Sequence, residues 1–78
     1  PNPFNPTTNI RFSLPEQANV NLTVYNVLGQ EVATVVNESL EAGIHNYAFD
    51  ASNLNSGVYY YRIKTDNFVE VKKMMLVK

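Results

Sequence analysis

Cysteine and tryptophan are both absent, and there is a single histidine. Without cysteine there is no disulfide to staple the fold and no thiol for redox or nucleophilic chemistry. Without a His–His or Cys–His spacing there is no zinc-type ligand set. Glycine is scarce too, at three residues in 78, and none lies in a phosphate-binding loop pattern. No apolar run reaches transmembrane length, and no leader with a charged start and an apolar middle is present. The first residue is Pro1, which points to a cut or processed piece of a longer protein. Catalysis needs positioned acids, bases or nucleophiles. His45 alone in a strand is not such a set, and no catalytic residue, cofactor or metal is expected. Glu38 and Glu41 lie in one polar stretch as the nearest approach to a cation site, and carboxylates so placed are ordinarily solvated.

What the chain does have is strand character. A chain of this length makes one domain, 1–78, and buries only about 60% of its unfolded surface. The richest stretch is Asn53 to Thr65, NLNSGVYYYRIKT. A turn cluster ending in Gly57 runs into Val58, Tyr59, Tyr60, Tyr61 and Ile63, all β-branched or aromatic. Strands alternate their faces, so Tyr59, Tyr61 and Ile63 share one side and Val58, Tyr60, Arg62 and Lys64 the other. The charged side should be the outer one. This is read as the central strand, with a positive φ or close backbone approach at Gly57.

The remaining elements follow in order. Pro1 to Pro6 holds three prolines and should be an extended lead-in arm, with Phe4 plugging one end of the fold. Thr7 to Leu14 alternates Ile10, Phe12 and Leu14 with polar residues. Val20 to Tyr25 places Val20, Leu22 and Val24 inward and Asn21, Thr23 and Tyr25 outward. Asn26 to Gln30 is a turn with positive φ at Gly29, and Val27 and Leu28 should tuck beneath it. Glu31 to Asn37 breaks strict alternation at Val32 or Val35, which suggests a bulge or a buried stretch. Asn37 to Gly43 reads as a loop anchored by Leu40. In Ile44 to Asp50, Tyr47 and Phe49 face inward, with His45 near the open end. Ala51 to Ser56 is a crossing loop capped by Leu54, and Asp66–Asn67 a two-residue hairpin turn. In the last strand, Val69 and Val71 set one parity. Met74 and Leu76 set the other, and Lys73 conflicts with the first. Six to seven strands at about ten-residue spacing, with turns between them, predict an all-β antiparallel sandwich.

Charge is uneven. Before residue 60, Arg11 stands against Glu16, Glu31, Glu38, Glu41 and Asp50; beyond it five cations stand against Asp66 and Glu70. The basic end fits either an acidic partner or lysines guarding an edge strand. The overall charge of −1 argues against nucleic acid. Tyr25 and Tyr60 are the exposed aromatics available for stacking a ligand such as a sugar.

Four stretches resemble a known family in order and spacing: PNPFNPTTNIRFSLP, VYNVLGQEV, FDASNLNSGVYYYRI and KKMMLVK. Together they look like the C-terminal sorting domain of bacterial type IX secretion cargo (the Por secretion system of Bacteroidetes and related phyla). The resemblance implies an immunoglobulin-like sandwich and a non-catalytic address for export. It implies a cargo preceding the domain, an outer-membrane translocon that recognises it and a sortase-like peptidase that removes it. It implies passage through the periplasm, then a place at the cell surface or outside the cell. The family's structural motif maps onto Gly29, Phe49, Asp50, Gly57, Tyr59 and Tyr61. Its export-recognition segment maps onto Lys72, Lys73, Met74, Met75, Leu76, Val77 and Lys78. The immunoglobulin-like domain of flagellar hook-capping proteins shares the opening. It carries an insert before its SGVY strand, and here Phe49 to Leu54 connects directly. Two readings from other classes stand beside this one: a module that self-associates by edge-strand addition, and a carbohydrate-binding module using Tyr25 and Tyr60.

Overall fold

A computed structural model describes residues 7–78. The lead-in arm expected at Pro1 to Pro6, and Phe4 within it, lie outside the described residues. Six strands follow in order: β1 Thr7–Leu14, β2 Ala18–Asn26, β3 Glu31–Leu40, β4 Gly43–Asp50, β5 Gly57–Lys64 and β6 Val69–Leu76. There is no helix among the described residues. β1 and β4 pair into a two-stranded antiparallel sheet, and the other four form a second sheet in the order β3-β2-β5-β6. The result is an immunoglobulin-like antiparallel sandwich.

The alternation of β1 decides how the sheets stack. Ile10, Phe12 and Leu14 are buried, and the residues between them are exposed or half-buried. They meet Val20, Leu22 and Val24 of β2 and Tyr59 and Ile63 of β5 in one core. Pro15 brings no N–H just where β1 ends, and the chain crosses to the other sheet. Phe12 also stacks on Tyr47, at 6.1 Å between ring centres, and on His45, at 5.6 Å. His45 is held besides by donating from Nε2 to the Glu41 carbonyl at 2.7 Å, so its place near the open end is a packed one. β5 is an interior strand, paired with β2 and β6. It shares the centre with β2, whose Leu22, Thr23 and Val24 are all fully buried.

Both suspect valines of β3 break the ladder. Leu22 pairs with Val36 but Thr23 with Thr34, and Val24 pairs with Ala33 but Tyr25 with Glu31. Val35 and Val32 are the residues skipped, so this edge of the larger sheet bends twice.

Three expectations need correction, and the parity left open in the last strand is decided. Val27 and Leu28 do not tuck in: Leu28 is 79% exposed and Val27 65%. Asn26 explains this. Its Oδ1 accepts from the Leu28 and Gln30 amides, both at 3.0 Å, while its carbonyl accepts from the Gly29 amide. The turn's polar groups are satisfied from within, Gly29 takes φ +82°, and the two apolar residues form the tip. Thr23 is buried rather than outward-exposed, donating from Oγ1 to Asn21 Oδ1 at 2.7 Å. The loop expected from Asn37 is largely strand, because β3 continues to Leu40 opposite Ala18. Val69 and Val71 face outward; Met74 and Leu76 are the inward set of β6.

Gly57 opens β5 at φ +149°, a backbone that L side chains rarely adopt. A Cβ there would meet nothing within 4 Å. Gly57→Val is therefore expected to lose stability through backbone strain alone, by about 1–3 kcal/mol. A urea midpoint equal to that of the parent would contradict this.

Candidate recognition edge

The β5–β6 hairpin carries the basic end of the chain. Thr65 builds its turn. The Thr65 amide donates to the Phe68 carbonyl at 2.9 Å, and Thr65 Oγ1 accepts from the amides of Asn67 and Phe68 at 3.1 and 3.2 Å. Asp66 and Asn67 are left as the two tip residues, as their sequence suggests. From there β6 runs against β5 without a break in register, from Lys64 opposite Val69 to Gly57 opposite Leu76.

That register divides the seven residues Lys72 to Lys78 into two groups. Leu76 belongs to the buried core, and Met74 packs against it opposite Tyr59. Lys72, Lys73, Met75 and Val77 are exposed. Lys73 stands opposite Tyr60 and Met75 opposite Val58 on the outer face, while Lys72 stands opposite Tyr61 on the inner parity.

Lys78 joins the anchoring group. Its ammonium donates to the carbonyls of Ala51, at 3.1 Å, Ser52, at 2.8 Å, and Leu54, and its amide donates to Ser56 Oγ at 3.0 Å. The carbonyls belong to the loop between β4 and β5, whose other polar contacts also close on themselves. Asp50 accepts from the Ser52 amide at 2.9 Å, the Leu54 amide donates to Ala51, and Tyr59 Oη donates to Asn55 at 2.9 Å. Of the motif residues, Asp50 and Tyr59 bond within the loop that holds the last lysine, and Phe49 and Gly57 flank it along the chain. Gly29 sits in the β2–β3 turn at the same end of the sandwich, since Asn26 pairs with Tyr59. Tyr61 is half-buried against the core from the next inward position of β5.

The Asp50 carboxyl is held below its ordinary value of 3.8, first by the Ser52 amide, then by the Ser52 hydroxyl and the charge of Lys78. A carboxylate lowered in the folded state contributes stability above its unfolded pKa and loses it as the pH falls through the folded one. Lys78→Ala should free the loop, speeding amide exchange at Ser52 and Leu54 at a loss of about 1 kcal/mol. It should also bring the Asp50 titration back toward 3.8. Unchanged amide exchange at Ser52 and Leu54 in the variant would disprove the clasp.

Tyr25 and Tyr60, the stacking candidates, are half-buried rather than exposed and are direct cross-strand partners. Arg62 lies over the Tyr25 ring at 5.4 Å and donates to Asn21 Oδ1 at 3.4 Å. Its buried Nε has no hydrogen-bond partner among the described residues, so the ring face and the guanidinium serve each other. A flat sugar would have to displace that cation from Tyr25. Glu38 lies in β3 and Glu41 just past it. Among the described residues no three His, Asp or Glu side chains gather as a metal site.

Sequence reasoning missed two features. The Lys78 clasp involves carbonyls more than twenty residues away, and no local pattern announces it. The exposed tip Val27–Leu28 had a signal in Asn26 and Gly29, which together specify a turn too tight to cover them.

A family model described as "Secretion system C-terminal sorting domain" matches residues 1–78. This chain belongs to that family. It is a sorting domain for type IX secretion, one of a family of generally non-catalytic signals that sends its cargo to the cell surface or beyond. No curated protein and no solved structure gives a significant match to it.

Proposed function

We propose that the sorting domain is recognised by the outer-membrane translocon through the exposed part of its last strand. Lys72, Lys73, Met75 and Val77 make the contact. Met74, Leu76 and Lys78 hold the strand on the sandwich so that it presents one shape. The domain does no chemistry of its own. Its cargo reaches the periplasm, crosses the outer membrane on this recognition, and is released from the domain by a sortase-like peptidase.

The observation that carries this reading is the family match over the whole chain, together with the exposure of a basic and apolar set on that strand. The test is transplantation. The chain is appended to a passenger that does not otherwise cross the outer membrane, in a host with the secretion system. Passenger in the medium or on the cell surface supports the reading, and passenger retained in the periplasm counts against it.

A further inference from the structure

The two ends of the larger sheet are built differently. β3 is bent by two bulges, a common way of blunting an edge. β6 has no bulge, no proline and an unbroken register with β5. Among the described residues nothing pairs with its other side. That open side faces a groove of about 510 Å³ between β6 and β1, lined by Arg11, Phe12, Ile44, Phe68, Glu70 and Lys72. A second groove of about 250 Å³ continues it between Thr7–Thr8 and Met75–Lys78. β1 and β6 are therefore two strand edges bordering one seam. Ile44 in the groove is 59% exposed, and Val69 and Val71 on the outer face of the same edge strand are 57% exposed. Arg11 and Lys72 outnumber the one acid in the groove, Glu70, and Lys73 adds a cation on the outer face of β6.

We infer that this seam accepts an extended acidic segment of a partner protein, which adds to β6 as a further antiparallel or parallel strand. The inference deepens the sorting reading and rests on it, since it states how the translocon would hold the domain. Main-chain hydrogen bonds to the free edge supply affinity, and alternate side chains supply selection. Apolar residues of the incoming strand cover Ile44 and Phe68, and carboxylates meet Arg11, Lys72 and Lys73. A second copy of this chain fits less well. The two antiparallel registers that pair most of β6 with itself set Lys72 against Lys72 or Lys73 against Lys73, and like charges directly opposed are destabilising. A register centred on Val71 pairs Glu70 with Lys72 but leaves Met74 to Leu76 free. A lipid surface fits worse, because open-edge amides and carbonyls would enter hydrocarbon unpaired.

The experiment is amide exchange on the isotope-labelled domain with a synthetic peptide alternating valine and glutamate. Alternate amides of Val69 to Leu76 should become protected, and Lys73→Glu should weaken binding at least about tenfold, as like-charge juxtaposition requires. The inference is overturned if those amides are unchanged, or if a valine–lysine peptide protects them equally. It is also overturned if the chain alone protects them by dimerising, or if anionic phospholipid vesicles do so and the peptide does not. Passenger export is a separate readout. A domain that exports its passenger but ignores the peptide ends the strand-addition idea and leaves the sorting role standing. A domain that binds the peptide but exports nothing does the reverse.

Discussion

Lys72→Glu combined with Lys73→Glu should cut export of a passenger at least roughly tenfold, the effect of about 1.4 kcal/mol at the recognition step. The isolated domain should meanwhile melt close to the parent. Both side chains are exposed, and neither belongs to the core. Surface substitutions of this kind usually stay within about 0.5 kcal/mol. For a domain of this size that is a shift of roughly 2–4 °C. The pairing of readouts matters because deletion of Lys72 to Lys78 cannot separate two causes. That deletion removes Leu76 from the core and Lys78 from its clasp, so export would stop through unfolding as well as through lost contact. Reversing the two charges changes only exposed side chains and leaves Leu76 and Lys78 in place. A variant that exports normally would show that these lysines guard the edge and do not address the cargo. A variant that fails to export because it has unfolded would show that they are part of the fold. Only loss of export from a folded domain supports recognition.

The fold was largely legible because most of the strands bury one face cleanly. β1 ends where its alternation ends, and its three apolar positions are the ones buried. β3 showed its irregularity in the wrong spacing of Val32 and Val35, and both are the residues its ladder skips. β6 was not legible in the same way. It is an edge strand against an open seam, so its inner parity holds Glu70 and Lys72 and its outer parity holds Val69 and Val71. Hydrophobicity reports burial, and where neither face is fully covered it cannot name the inward one. The candidate site was legible as a segment through the family resemblance. Its division into anchors and exposed contacts was not, because that depends on register with β5 and on carbonyls contributed by another loop.

Leu22→Ala should destabilise the domain by about 2–5 kcal/mol, the range for truncating a fully buried leucine. Total stability for a chain of 78 residues is roughly 4–12 kcal/mol. This one change therefore removes a large share of it, and near the lower bound it leaves no folded population to measure. Leu22 is fully buried, with Val36 beside it on β3 and Ile63 on β5. It lies next to the first bulge, where Thr23 has already shifted partner. Two rigid neighbours and a fixed kink leave little freedom to collapse into the space, which places the expected loss toward the upper part of the range. Leu28→Ala is the control: the same atoms are removed from a side chain that is mostly solvated, and the change should stay within about 0.5 kcal/mol. Urea unfolding of both variants, with slopes equal to the parent's, makes the comparison. Equal midpoints for the two would mean that β2 is not the centre of the core. The consequence reaches the recognition edge. β6 is held by β5, and β5 by β2. A core weakened at Leu22 should release the terminal strand and lower export although no exposed residue has changed, and restoring export by lowering the temperature would identify stability as the cause.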